Sequence, residues 1–514
     1  MSGVLPQKGT KVKLSALLTT INAVYHGNPD TEVTAIVSDS RKLCPGCAFV
    51  CIKGGRHDGH DFAEAAIRAG AAAIITERPL DLPAGEATVV CVPDTREALS
   101  YMWDAWYGHP TGGLTCIGIT GTNGKTTTSY AIKAILEAEG RSVGVIGTLG
   151  TMVGARAENL PNGGSDMVFA GAAMTTPDPE VLYRLIHTMK NSGVDTVVME
   201  VSSHALAQKK VAPILFDAAL FLNLGEDHLD FHITKENYFK SKASLFRQCK
   251  QGIVNYDDLY GRRLSEETDA PLRFCSSCEE NQERVDYLAA HFVNRHENGI
   301  EYKLVSADKT VKITSPIIGA FNQSNTMMAA ACALALGVGE DSVRTALKTF
   351  GGVEGRMERV YDPAGVCPFS VIIDYAHTPE AMHNAIECLG GKHHGRIMTL
   401  FGCGGDRDPS KRPKMGKIGV TESDFAIITS DNCRTESPHA ILSDILMGVG
   451  DAKNYVVICD RAEAIRYAMD LAREGDILLL LGKGHEKYEI TAQGKIPFDE
   501  KQIVLEAYQN LAGR

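Results

Sequence analysis

An α/β protein built on parallel sheets is what this 514-residue sequence predicts, and three observations predict it. Short, apolar, β-branched runs alternate with helix-like segments from about residue 112 onward. A glycine-rich turn stands where the first of those runs gives way to a helix. A further series of apolar runs begins after about residue 352 and repeats the alternation. Strands separated by helices pair in parallel, because the crossover brings the chain back to the same end of the sheet and covers one face.

The elements follow in chain order. In the first part, FAEAAIRAGAAAIIT reads as a helix leading into a strand, which makes residues 1–108 an α/β unit of their own. LTCIGIT, SVGVIGT, DTVVMEV, FDAALFLN and GIVNY then read as strands of a second sheet, with TTTSYAIKAILEAEG as the helix after the first of them. SPIIGAFNQSNTMMAAACALALGV reads as a turn followed by an apolar helix. Beyond a boundary near Gly352, PFSVIID, RIMTLFG, DFAIITS, NYVVICD and DILLLLG form the third set. Three domains, 1–108, 109–351 and 352–514, are the most economical account, and a chain this long accommodates them.

Composition narrows the function. Hydrophobic residues make up 44% and charged residues 22%, as in ordinary globular proteins with a large core. The formal net charge of −11 argues against nucleic acid or an anionic membrane as the main partner. An anionic ligand would therefore need a local cluster of cations. The N-terminal MSGVLPQKGTKVKLSALL lacks the apolar stretch of a signal peptide, and ILLLL at 477–481 is too short to span a bilayer, so a cytoplasmic protein is expected. Of the 14 cysteines, several such as Cys116 and Cys459 sit inside apolar runs and read as buried thiols. Cys44/Cys47 and Cys275/Cys278 have metal-like spacing but fall in different domains, so a shared zinc site is not expected.

CIGITGTNGKTTTSY at 116–130 carries the first functional signal. The common phosphate-loop pattern would need a glycine at Ile119; here the glycines are Gly118, Gly121 and Gly124. The context is nevertheless right, because TGTNGKTT lies between a buried-strand pattern and a helix. Glycines let backbone N–H groups approach phosphate, and the helix start adds partial positive charge. Lys125 can then reach the β- and γ-phosphates, and the Thr126 hydroxyl can bind Mg²⁺.

This GxxGxxGKT form resembles the Mur ligase family, which includes folylpolyglutamate synthase and joins a carboxylate to an amine using ATP. The resemblance runs through nearly the whole chain, in MEVSSHAL (199–206), NLGEDHLDFH (223–232), AFNQSN (320–325), GRME (355–358), DYAHTP (374–379), GCGGDRD (402–408) and GKGHE (482–486). It implies three domains: a UDP-substrate-binding domain, a central phosphate-loop ATPase domain, and a Rossmann-like domain that receives the amino acid. ATP and Mg²⁺ are the implied cofactors, and a monomer is expected.

The resemblance also assigns residues. Gly121, Thr122, Asn123, Gly124, Lys125, Thr126 and Thr127 would form the phosphate loop. Asn322 would contact adenine, and Arg356, Asp374 and His377 would be the third domain's contribution to ATP. Asp374 and His377 stand at a strand end before a helix beginning at Pro379, where ligands bind in open α/β sheets; a helix-cap role is the other reading of His377. Glu200, at the end of DTVVMEV, and His228 would hold Mg²⁺ beside Thr126. The position of Lys242 is that of a lysine the family carbamylates, with Lys240 as the alternative; carbamylation would turn a cation into a further anionic metal ligand.

The implied acceptor is UDP-N-acetylmuramoyl-L-alanyl-D-glutamate, an intermediate of peptidoglycan synthesis. Ser38 and Ser40 of SDSRK, Gly55, Arg56 and His57 of GGRHDGHDF, Thr175, Thr176, Ser202, Gln208 and Lys210 are its implied contacts. Lys210 stands where the family more often has arginine, and keeps the charge without the bidentate fork. His57 and His60 lie in a glycine-rich loop rather than on a helix, which disfavours a metal pair. For the incoming amino acid, TSDNCRTE resembles the DNPR motif of members that add meso-diaminopimelate, with Asp431, Asn432 and Arg434 matching and Cys433 in place of proline. Arg434 would hold the distal carboxylate that lysine lacks. Arg407, Gly482 and Glu486 complete the set, with Arg407 suited to a carboxylate and Glu486 to the distal ammonium. The alternatives are L-lysine as the incoming amino acid, a folylpolyglutamate ligase, and a nucleotide-dependent switch that hydrolyses ATP without any amino acid.

Overall fold

A computed structural model describes residues 10–55, 57–83, 85–154, 167–169, 174–225, 227–296, 299–390 and 395–512. Three main sheets organise it. The first has five strands, in the spatial order Val24–His26, Thr88–Cys91, Ala73–Thr76, Cys47–Val50 and Ala35–Val37, parallel except for the first pair. The helix Ala63–Arg68 precedes the strand Ala73–Thr76, as its sequence predicts.

The second sheet has eleven strands. At its centre Val143–Gly147, Thr196–Glu200, Thr115–Thr120, Ala218–Phe221 and Gly252–Asn255 run parallel in that order. These are the five apolar runs of the sequence. They are buried along their length because helices cover both faces, the helices Lys125–Ala138 and Ala320–Ala335 packing together over one of them. The parallel core carries antiparallel strands at both edges. Gly150–Val153 and Met167–Phe169 add antiparallel strands at one side, and Gly299–Val305 with Thr310–Ser315 at the other. The strand Gly299–Val305 alternates buried with more exposed residues, the pattern of a sheet face shared with solvent, and so lacks the continuous apolar run that marks a central strand.

The third sheet has six strands, ordered Glu358–Val360, Ser370–Asp374, Ile477–Leu481, Ile397–Phe401, Phe425–Ile428 and Tyr455–Val457. All but the first pair are parallel. The last strand but one in the chain, of those five parallel runs, is thus neighbour to Phe425–Ile428, while the final one, Ile477–Leu481, inserts between the first two. Insertion of that strand brings the carboxyl ends of four strands side by side, with Asp374 ending one and Cys403, Asp431 and Gly482 within three residues of the ends of the others. No helix among the described residues is long and apolar enough to cross a membrane.

Candidate functional site

The glycine-rich turn is built as its sequence requires. It joins the strand Thr115–Thr120 to the helix Lys125–Ala138, and Gly124 caps that helix with φ of 85°. A Cβ there would collide with the Asn325 side chain, so only glycine fits. Asn223 staples the loop: its Oδ1 accepts from the N–H groups of Thr122 (3.0 Å) and Asn123 (2.8 Å), and its Nδ2 donates to Asn123 O (3.2 Å). The Thr122 hydroxyl meets Tyr238 Oη at 3.0 Å and accepts from Gly225 N–H at 2.9 Å. Thr126 and Thr127 are buried at the first turn of the helix.

Two lysines converge on this loop. Lys125 Nζ donates to the carbonyls of Gly121 (2.8 Å) and Thr122 (2.9 Å), and Lys242 Nζ donates to the same Gly121 carbonyl at 2.8 Å. Burial pushes the Lys125 pKa down, against Glu200 and Asp227, while Arg356 from the third sheet's side pushes it further down. Lys242 lies on the helix Lys235–Ala243, whose buried positions are Tyr238, Phe239, Lys242 and Ala243. It is four residues after Tyr238 and therefore on the same face, over the Tyr238 ring at 4.6 Å. Lys240 points the other way and is exposed. Burial, then the neighbouring Lys125, hold the Lys242 pKa well below the ordinary lysine value, which leaves a neutral amine accessible.

Glu200 ends the strand Thr196–Glu200 and is fully buried. Among the described residues its carboxylate accepts only neutral donors, Thr148 N–H (3.1 Å) and Thr148 Oγ1 (2.9 Å), so acceptor capacity remains on a buried anion. His228 adopts φ of 55°, and its half-exposed ring stacks edge-on against His204 at 4.7 Å. Burial, then the cations Lys125 and Lys242 among its neighbours, lower its pKa, opposed by Asp227. A neutral imidazole and a carboxylate suit a small divalent cation. Among the described residues, however, no three His, Cys, Asp or Glu side chains converge to hold one. The fit to Mg²⁺ therefore depends on a further ligand at Lys242 and on the hydroxyl of Thr126.

From the third sheet, Arg356 lies 4.4 Å over the Tyr375 ring, and its buried Nε has no hydrogen-bond partner among the described residues. Asp374 accepts from Met357 N–H and Ala376 N–H, both at 2.8 Å. His377 Nδ1 meets Tyr375 O at 2.8 Å, and Lys411 donates to the His377 carbonyl at 2.9 Å. The helix Pro379–Glu387 is capped by Thr378, not His377. Glu380 at its start presses on Gly225, which joins the third sheet's strand ends to the phosphate loop. Asn322 is buried, donating to Ile318 O (2.6 Å) and accepting from Asn325 (2.9 Å).

A second cluster sits at the adjoining strand ends. Asn432 Nδ2 donates to Glu486 Oε2 at 2.7 Å, and its Oδ1 accepts from Lys483 Nζ (3.1 Å) and Ile490 N–H (2.8 Å). Burial pushes the Asp431 carboxyl up, but Arg461, Lys483 and the Asn432 N–H outweigh it and leave the pKa lowered. Gly482, with φ of 112°, leaves room for that carboxylate: a Cβ would stand 2.6 Å from Asp431 Oδ2. Arg434 donates to the carbonyls of Gly405 (2.7 Å) and Asn432 (3.3 Å). Among the described residues it forms no ion pair, because Glu436 is taken by Arg412 at 2.9 Å. Arg407 is exposed nearby, bonded to Asp406 O. Cys433 is buried, its thiol 3.9 Å from Ile490 O.

Three family models cover the chain: the Mur ligase family, catalytic domain, at residues 32–107; the Mur ligase middle domain at 119–333; and the Mur ligase, glutamate ligase domain, at 355–484. A curated relative from Geobacillus thermodenitrificans, UDP-N-acetylmuramoyl-L-alanyl-D-glutamate–2,6-diaminopimelate ligase, is 40% identical over 506 residues, spanning 96% of this chain and 98% of its own. The chain belongs to the Mur ligase family. A relative of the same name from Clostridium perfringens is 39% identical over 96% of this chain and 97% of its own. A solved structure of a ligase so named superposes with a TM-score of 0.67, at 27% identity, over 98% of this chain and all of that one. A MurF ligase from Thermotoga maritima in complex with ADP shares the fold, with a TM-score of 0.57 at 20% identity over 93% of this chain and 97% of its own.

The remaining positions lie on segments that flank strands of the first and second sheets. Ser38 is exposed just after the strand Ala35–Val37, and Ser40 opens the 3-10 turn capped by Asp39. Gly55 and His57 are exposed; Arg56 lies outside the described residues. His60 is buried with Nδ1 on Asp58 and Nε2 accepting from Glu77 N–H, which leaves no ring nitrogen for a metal. Thr175 meets Thr148 at 3.2 Å, while Thr176 donates to Glu200 O (2.8 Å) and accepts from Ser202 N–H (3.0 Å). Ser202 caps the short helix Ser203–Ala207, and Gln208 ends it. Lys210 is buried against Asp178 at 2.8 Å. Sequence reasoning passed over Asn223, Thr148 and Tyr238. Each is a polar residue at a strand end or beside a quoted block, and that placement was the available signal.

Proposed function

We propose that the chain adds meso-2,6-diaminopimelate to UDP-N-acetylmuramoyl-L-alanyl-D-glutamate, using ATP, in peptidoglycan precursor synthesis. The division at residues 108/109 and 351/352 assigns the UDP-substrate, ATP and amino-acid sites to successive domains, and the reaction takes place in the cytoplasm. The γ-phosphate of ATP passes to the D-glutamate γ-carboxylate, with ADP leaving. The amine of diaminopimelate attacks the acyl-phosphate, and the tetrahedral adduct collapses to amide and phosphate. Activation is required because a free carboxylate resists attack by an amine.

Each group has a task. Lys125 and Arg356 stabilise phosphate charge in a site shielded from water, where such charges act most strongly. The loop N–H groups, held by Asn223, cradle the nucleotide, and Asn322, Asp374 and His377 line its remaining edges. Thr126, Glu200, His228 and a carbamylated Lys242 would hold Mg²⁺, which would supply charge neutralisation at the phosphate. The depressed pKa of Lys242 supports this assignment, since only a neutral amine attacks CO₂ and the product is an anionic carbamate plus a released proton. Ser38, Ser40, Gly55, Arg56, His57, Thr175, Thr176, Ser202, Gln208 and Lys210 would contact the UDP-sugar dipeptide.

The observation that carries the choice of amino acid is the Arg434 guanidinium, which forms no ion pair among the described residues and lies beside the Asn432–Glu486 pair. The distal carboxylate that lysine lacks matches Arg434, the distal ammonium that both amino acids carry matches Glu486, and Arg407 is suited to a carboxylate as well. Phosphate release is measured with the UDP-dipeptide, ATP, Mg²⁺ and one candidate amino acid at a time. Comparable kcat/KM for diaminopimelate and L-lysine would overturn the choice; phosphate release with no amino acid present would favour a nucleotide switch.

A further inference from the structure

Lys483 is completely buried, yet the reading above gives it no task. It follows the strand Ile477–Leu481 by two residues, and its ammonium stands among carboxylates. Nζ is 3.1 Å from Asn432 Oδ1 and 3.8 Å from Glu486 Oε2, and lies 5.5 Å over the Phe498 ring. Asp431 and Glu489 also feel its charge. A buried ammonium has three donors and no acceptor, so it admits only the oxygen of the Asn432 amide. Ile490 N–H takes the same oxygen, which turns the Asn432 nitrogen toward Glu486.

We infer that Lys483 is a positioning residue for the incoming amino acid: it orients the Asn432 amide and balances the surrounding carboxylates, so that Glu486 meets the ligand's ammonium as a carboxylate. The inference rests on the proposed diaminopimelate site. Glu486 is faced by Asp431, Asn432 and Arg434 from the loop after Phe425–Ile428, by Tyr375 from the neighbouring strand end, and by Lys483 and Tyr488 from its own segment. Burial raises its pKa, while Asn432, Lys483 and Arg434 oppose the rise. Losing the Lys483 charge lets burial act with less opposition. The carboxylate then protonates at higher pH.

The test is Lys483→Met in the full-length chain, with kcat/KM for diaminopimelate measured against pH and KM measured for all three substrates. The acid limb moves to higher pH, KM for diaminopimelate rises at least tenfold at neutral pH, and KM for ATP and the UDP-dipeptide stays within twofold. An unmoved acid limb, or an equal rise in all three KM values, overturns the inference. If that variant does not fold by circular dichroism, Glu486→Gln decides: the limb disappears if Glu486 is the titrating group, and its persistence refutes the inference. Failure of the unmodified protein to use diaminopimelate at all would instead refute the underlying activity.

Discussion

Replacing Arg434 with alanine isolates the group that separates diaminopimelate from lysine. In the free protein its Nη1 is held by the carbonyls of Gly405 and Asn432, which fix the side chain and leave the other guanidinium nitrogens to face a carboxylate. A hydrogen bond to a charged group contributes about 1.5–3 kcal/mol, and a tenfold change in an equilibrium is about 1.4 kcal/mol. The diaminopimelate preference therefore falls by roughly ten- to a hundredfold. The two carbonyls turn to water, since the residue is only half-buried, so the fold survives. Arg434→Lys keeps the charge without the fork and gives an intermediate loss. The assay is kcat/KM for diaminopimelate and for L-lysine in each variant, with circular dichroism as the control for folding. An unchanged ratio in folded Arg434→Ala would refute the reasoning.

Three further outcomes are expected. Lys242→Ala nearly abolishes phosphate release, and short carboxylates restore part of it; ¹³CO₂ labels the unmodified protein and not the variant, and full unaided activity would remove the carbamate. Lys125→Ala stays folded but loses ATP turnover, because the lysine contacts charge rather than packing; turnover retained in the folded variant would dismiss the loop assignment. Asp476 is buried against Arg396 at 2.6 Å; burial pushes its carboxyl up, but the Arg396 bonds dominate and leave the pKa lowered. A group lowered on folding stabilises above its unfolded pKa of about 3.9 and loses that contribution as pH falls through the folded value. Asp476→Asn is therefore less stable by about 1.5–3 kcal/mol at neutral pH, and the gap narrows only below about pH 4. Thermal melts across pH check this, and a gap independent of pH would contradict it.

Much of the architecture was legible because it rests on local rules. Five apolar runs became the five central parallel strands of the second sheet, and five more became those of the third, since a strand buried on both faces must be apolar throughout. The strand–glycine–helix context of TGTNGKTT was legible as a tight turn between a strand and a helix despite its unusual spacing, because only glycine tolerates the backbone at Gly124. The antiparallel edges were not legible. Their half-solvated residues alternate, and the partner strand that decides pairing lies far away in the chain.

For the candidate site, sequence alone singled out the candidate side chains and the strand ends that present them. Tertiary structure decided how those side chains bear on one another. Lys240 and Lys242 differ by two positions, and only helix packing tells which is buried beside Lys125. Arg434 has acidic neighbours in sequence, but Glu436 is claimed by Arg412 from a separate helix, and among the described residues the guanidinium forms no ion pair. Lys483 looks like any surface lysine until the strand Ile477–Leu481 inserts at the sheet's centre and buries it. Sequence spacing conveys periodicity within one element. Burial and charge pairing depend on distances between elements, which exist only once the chain has folded.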